Sequence, residues 1–299
     1  MTPASGTWPV VVLSRRIGDY LALAKPRVVL MVLVTTVVGY YLGSAGTPRL
    51  APLLQTLLGT ALAAAGTLAL NQLMERDLDA RMARTRHRPL PEGRLQPAEA
   101  LVFGGALLAA GLIHLALVVG LLPAAVTAAI AIVYLLLYTP LKRVTPLCSL
   151  VGAVPGALPP VAGWAAARGA LGLEPWVLFA IMFFWQIPHS LAIARLYRDD
   201  YARAGIRLLP VVDVDGSSTG THVVAHCLAL IPVALLPTLI RLSGTAYFVV
   251  ALVLGLAFLW SGIMLARGRS AADARRLMLA SLVYLPLLLA VMALDKLSF

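Results

Sequence analysis

Asn71, Glu75 and Asp79 recur at intervals of four residues in the stretch NQLMERDLDARMARTRHRPLPEGRL, residues 71–95. On a helix that spacing puts one amide and two carboxylates on a single face, with Asp77 turned nearly the opposite way. Three hard oxygen donors in a row suit Mg2+, which takes one or two protein carboxylates together with substrate phosphates and keeps several waters. Arg84 and Arg88 follow at once, and guanidinium forks match the oxygens of a diphosphate. His87, among these arginines, is placed to touch phosphate. The same segment also reads as a solvated loop whose arginines only set membrane topology.

A second constellation lies at 183–216, FFWQIPHSLAIARLYRDDYARAGIRLLPVVDVDG. Asp199 and Asp200 are adjacent acids flanked by Arg195, Arg198 and Arg203. If one helix runs on through residue 200, His189 and Asp200 are eleven residues apart and share a face, with His189 about 16 Å deeper. A polar stripe inside an apolar span faces protein or a cavity. His189 could bind substrate deep in such a cavity, or equally be a hydrogen-bonding residue between helices. Two acid-rich loops meeting above a membrane cavity point to one chemistry. Metal ions clamp an allylic diphosphate, its carbon–oxygen bond ionises, and the clamp stabilises the charge on the leaving group. The isoprenoid tail would lie in an apolar bundle that keeps water from the cation.

The elements that must position these residues are membrane spans. Of 299 residues, 60% are hydrophobic and 12% charged, about half the charged share of a soluble domain. The apolar runs do not alternate as porin strands do, so the class is an all-α membrane protein. Nine runs are long enough to cross a bilayer: 26–44, 52–74, 98–119, 122–138, 147–166, 174–195, 222–241, 245–266 and 276–294. No hydrophilic segment is long enough for a second domain, so residues 1–299 read as one membrane domain, a nine-helix bundle with a central cavity open to cytoplasmic loops. No cleavable signal is expected in the chain as given.

Charge sets the orientation. Twenty of the 24 lysines and arginines fall in alternate loops and four in the others. By the positive-inside rule the N-terminus, with a tail over 1–19, is cytoplasmic and the C-terminus lies outside. The formal charge of +11 therefore marks topogenic loops rather than a nucleic-acid surface. Lys25, Arg27, Lys142 and Arg143 sit in those loops beside the arginines already named and could hold an anionic substrate. The span at 147–166 is interrupted by Pro155, Pro159 and Pro160, which is tolerated where a helix faces protein or a cavity. Small residues such as ALAAAG at 61–66 let helices approach closely. Cys148 and Cys227 fit no disulfide or zinc spacing and read as packing residues.

An ordered set of segments resembles the UbiA-type intramembrane prenyltransferases, and within them the branch whose acceptor is haem. The set is AKPRV at 24–28, residues 71–95 above, YTPLKR at 138–143, GALPPVAGW at 156–164, WQIPH at 185–189, YRDDYARAGIRLLPVV at 197–212 and RRLMLASLVYLPLLLAVMALD at 275–295. The resemblance implies a nine-helix bundle, farnesyl diphosphate and haem B as substrates, Mg2+ as cofactor, and a product passed on towards haem A synthase. The Ala-, Leu- and Arg-rich composition, with no targeting segment expected, points to a bacterial inner membrane. It also implies that Asn71, Glu75 and Asp79 form a first metal and diphosphate site, with Asp200 and Asp199 forming a second. Two departures stand out. Glu75 stands where the superfamily usually has Asp, though this branch also uses Glu. The second motif usually has two aspartates four apart, and here Arg203 and Ala204 follow the adjacent pair. A prenyltransferase for a quinone precursor, a membrane transporter and a non-catalytic haem scaffold are the competing readings. The transporter is disfavoured because the ionisable residues cluster at one mouth rather than at the membrane midplane.

Overall fold

The computed structural model describes residues 8–297, with side chains from Arg15 onward. Among these, nine helices are long and apolar enough to span a membrane. A helix α1 (Trp8–Ala24) precedes them. The spans are α2 (Pro26–Gly43), α3 (Leu50–Asp79), α4 (Pro97–Val119), α5 (Leu121–Leu141), α6 (Cys148–Arg168) and α7 (Glu174–Leu196). After two short helices, α8 (Arg198–Arg203) and α9 (Leu209–Val212), come α10 (Ser217–Leu239), α11 (Thr245–Gly268) and α12 (Ala271–Leu294). The architecture is an all-α membrane bundle without a sheet among the described residues. Residues 1–7 of the expected tail lie outside the described residues. From Trp8 the tail is helical, because α1 docks on α3: Gln72 Nε2 donates to the carbonyls of Leu23 at 2.7 Å and Ala22 at 3.2 Å.

Lipid-facing residues such as Leu117, Leu121 and Leu239 are exposed, as expected where the solvent is hydrocarbon and apolar burial contributes little to association. Close contact does the work instead. A side chain at Gly163 on α6 would run into the carbonyl of Thr36 on α2, and one at Gly39 into that of Pro160. Gly66 and Gly111 meet the facing backbones of α4 and α3 in the same way. The proline-rich span bends at Leu158, between Cys148–Ala157 and Pro159–Arg168. It is the most deeply buried of the nine, so its freed backbone groups face protein.

The basic loops gather at one end. Arg207 N–H donates to the Lys142 carbonyl at 2.8 Å, and Arg195 Nη2 to the Arg269 carbonyl at 2.8 Å. Leu78 and Met82 pack with Ala204 and Ile206, joining the two acid-rich loops. At the opposite end Lys296 Nζ donates to the carbonyls of Tyr41 and Ser44, both at 2.7 Å.

Candidate functional site

α3 continues five residues past the apolar run that begins it and ends at Asp79. Asn71, Glu75 and Asp79 are buried along one face of that extension, so the spacing argument holds in three dimensions. The helix stops because Thr85 Oγ1 donates to the Asp79 carbonyl at 2.9 Å. That bond turns the arginine-rich loop back over the helix end, where a free carbonyl needs a partner.

The three side chains line a cavity of about 150 Å3, together with Lys25, Arg84, Arg88, Lys142, Met82, Tyr134, Tyr138, Tyr201, Ile206 and Leu208. Glu75 Oε1 accepts from Lys142 Nζ at 2.6 Å, and Asp79 Oδ2 from Arg88 Nη1 at 2.6 Å. Asn71 Oδ1 faces Lys25 Nζ at 3.4 Å, while its Nδ2 donates to Thr139 Oγ1 at 3.0 Å. Lys142 Nζ also lies 4.3 Å from the centre of the Tyr138 ring. Lys25 reaches the cavity from the break between α1 and α2, where it adopts a left-handed backbone (φ 51°) ahead of Pro26. That region is unfavourable for a residue with a Cβ, and strain of this kind gathers at functional positions.

Burial, with Arg88 beside it, lowers the Lys25 pKa to about 8. Burial alone would lower Lys142 too, but Tyr138 and Glu75 outweigh it and hold that ammonium above its ordinary value.

Seven of the residues singled out from sequence thus meet in one cavity: Lys25, Asn71, Glu75, Asp79, Arg84, Arg88 and Lys142. Asp200 is not among the lining residues, though its neighbour Tyr201 is; it pairs with Arg203 and accepts from the Ala83 N–H at 3.4 Å. The others stand elsewhere. Asp199, Arg27 and Arg143 are exposed. Arg198 Nη1 reaches the Val214 carbonyl at 3.5 Å, and Arg195 bonds the Arg269 carbonyl. His87 pairs with Glu92 at 2.7 Å. The expectation of one helix through residue 200 fails. Tyr197 (φ −108°, ψ 26°) leaves the helical conformation and ends α7, and α8 begins only at Arg198, so His189 and Asp200 do not share a continuous face. His189 Nδ1 instead bonds Ser281 Oγ at 2.6 Å on α12, with Trp185 stacked 5.1 Å away. The sequence reasoning missed the tyrosines. Tyr138 and Lys142, four apart within YTPLKR, carried that signal.

Among the described residues no three His, Cys, Asp or Glu side chains cluster as a self-sufficient metal site. Asn71 Oδ1, Glu75 and Asp79 nonetheless present hard oxygen donors to a polar cavity. That set fits a divalent cation that arrives sharing its coordination with phosphate.

A bundle of nine spans with this polar mouth defines a class. Residues 32–285 match the UbiA prenyltransferase family, and the chain belongs to it. It is 49% identical over 287 residues to the protoheme IX farnesyltransferase of Solibacter usitatus, covering 93% of this chain and 98% of that one. The fold is similar to that of digeranylgeranylglyceryl phosphate synthase (TM-score 0.80, 15% identity, covering 94% of this chain and 98% of that one). It is also similar to a UbiA homologue from Archaeoglobus fulgidus bound to GPP and Mg2+ (TM-score 0.63, 19% identity, covering 92% and 99%).

Proposed function

We propose that this prenyltransferase transfers the farnesyl group of farnesyl diphosphate to a vinyl group of haem B, releasing diphosphate. The observation that carries the donor half is the cavity, where Lys25, Arg84, Arg88 and Lys142 face two carboxylates of one helix. The acceptor is taken from the protoheme IX farnesyltransferases that the chain is similar to along nearly their whole length. Lys25, Arg84, Arg88 and Lys142 bind the diphosphate and stabilise its charge as the bond from C1 to oxygen breaks and the electron pair leaves with the phosphate. The haem vinyl carbon supplies the electrons for the new carbon–carbon bond. Water adds at the other vinyl carbon and loses a proton, giving a hydroxyethylfarnesyl haem. Tyr134, Tyr138, Ile206 and Leu208 shield the reacting carbon from other water. Asn71, Glu75 and Asp79 would hold Mg2+, with Asp200, next to the cavity-lining Tyr201, as a second acid. When bound, the ion's contribution is to neutralise charge on the leaving diphosphate oxygens. Lys142 and Arg88, now on Glu75 and Asp79, are then free to be shared with the phosphates.

The chain acts as one domain in a bacterial inner membrane, with its basic loops and N-terminus in the cytoplasm and its C-terminus outside. Its product suits onward oxidation by a haem A synthase. Incubating the purified protein with haem B, farnesyl diphosphate and Mg2+ should give a product heavier than haem B by one farnesyl group and one hydroxyl group. Prenylation of an aromatic quinone precursor, with haem left unmodified, would overturn the acceptor.

A further inference from the structure

Thr139 touches no substrate in this scheme, yet it is 5% exposed and hydrogen-bonds Asn71, itself 1% exposed. An amide can present either its oxygen or its nitrogen to a cavity, and only the oxygen can face a cation. What decides between them lies in α5. Residues Val133–Tyr138 form a π-helical turn, directly before Thr139 and Pro140. Pro140 brings no N–H to the helix ladder. The Tyr134 carbonyl receives the Thr139 backbone N–H, five residues on, and also the Thr139 hydroxyl at 2.8 Å. A carbonyl only accepts, so the single hydroxyl proton of Thr139 is committed to it. The Thr139 oxygen is left with lone pairs alone for Asn71.

We propose that Thr139 is a positioning residue that fixes the Asn71 amide with its oxygen toward the cavity. The flipped amide would set Oδ1 against the Thr139 lone pairs and Nδ2 against the Lys25 ammonium, which has no acceptor. Both ends of the side chain therefore oppose the flip. In a buried site each mismatched polar pair is costly. π-turns recur at functional sites, and this one sets the Thr139 hydroxyl between Tyr134 and Asn71. The inference rests on the proposed role of Asn71 as a ligand to Mg2+.

The test separates the two. Mn2+ serves as a spin probe, and its binding is measured by electron paramagnetic resonance with farnesyl diphosphate present and no acceptor, so that nothing turns over. Thr139→Val keeps the shape and removes the hydroxyl. It should weaken Mn2+ binding by about 10- to 100-fold, the usual effect of losing a group that orients a ligand. Thr139→Ser should bind Mn2+ as the native chain does. Farnesyl diphosphate binding without metal should be alike in all three, because the four cations remain. If valine at this site prevents folding, Thr139→Ala carries the same expectation. Native-like Mn2+ affinity in a folded variant without the hydroxyl would overturn the positioning role. No diphosphate-dependent Mn2+ binding by the native chain would overturn the metal reading, and this role with it.

Discussion

Raising the pH should loosen farnesyl diphosphate while tightening the fold, and both effects trace to Lys25. Its pKa of about 8, against an ordinary 10.5, arises mainly from burial and then from Arg88. On that value the ammonium is about 90% populated at pH 7 and about 10% at pH 9. Phosphate oxygens lose their last proton near pH 6, so the ligand's charge is constant over this range. A site that needs the cation should therefore lose affinity by up to about tenfold per pH unit above 8. The stability sign is opposite. A base whose folded pKa lies below its unfolded value is held charged at the expense of the fold at low pH. That penalty, of order 3 kcal/mol, is fully present below pH 8 and fades as pH rises from about 8 to 10.5. Equilibrium binding of farnesyl diphosphate without acceptor, and melting temperature, should be followed from pH 7 to 9.5 for the native chain and for Lys25→Met. The native profiles should run in opposite directions, and Lys25→Met should bind weakly at every pH with both profiles flattened. A Lys25→Met chain that keeps the native slope in affinity would refute the assignment.

Three further outcomes follow from the same geometry. Lys142→Met strands the Glu75 carboxylate, whose partner lies 2.6 Å away; it should cost about 3–5 kcal/mol in chemical denaturation, and adding Glu75→Gln should restore much of the loss, so equal stability of the single and double variants would argue against a buried pair. His189→Ala removes the bond to Ser281 and the stack on Trp185, and should lower melting temperature while leaving farnesyl diphosphate affinity unchanged; a loss of that affinity would place His189 in the donor site after all. Gly163→Ala should destabilise by about 1–3 kcal/mol, because its Cβ meets the Thr36 carbonyl, whereas Gly105→Ala, with nothing within 4 Å, should be neutral; matching melting curves would show that the α2–α6 crossing is not held by close contact.

The parts legible in the sequence were those governed by local periodicity. All nine spans were readable because each apolar run is its own signal, independent of its neighbours. The Asn71, Glu75 and Asp79 face was readable because α3 stays regular through Asp79, so a spacing of four translates directly into direction. Residues 189–200 were misread for the complementary reason. Their shared face assumed an unbroken helix, and the break at Tyr197 carries no Pro or Gly to announce it. The cations divided in the same way. Arg27 and Arg143 are as basic as Lys25 and Lys142 and only two and one residues away, yet they are exposed. Which member of such a pair enters the cavity depends on backbone direction at a helix end, and composition does not encode that. The tyrosines were passed over because aromatic residues near a span end are ordinarily membrane-interface anchors.

Helix direction explains why so many cations are needed. α3 ends at Asp79 and α5 at Leu141, so two spans turn their C-terminal poles toward the cavity. Such poles carry partial negative charge and favour cations, the reverse of the N-terminal phosphate sites of nucleotide-binding folds. Among these spans only α2 begins at the cavity, after Lys25. Backbone dipoles here therefore work against a diphosphate on balance, and side chains must reverse the sign. Lys25, Arg84, Arg88 and Lys142 against Glu75 and Asp79 leave the cavity lining two charges positive. The same C-terminal poles help to hold the ammonium and guanidinium groups on the carboxylates, and would equally favour a divalent cation in their place. An arginine-rich loop folded over the end of a carboxylate-bearing helix is thus what this backbone requires if it is to bind an anion and a metal together.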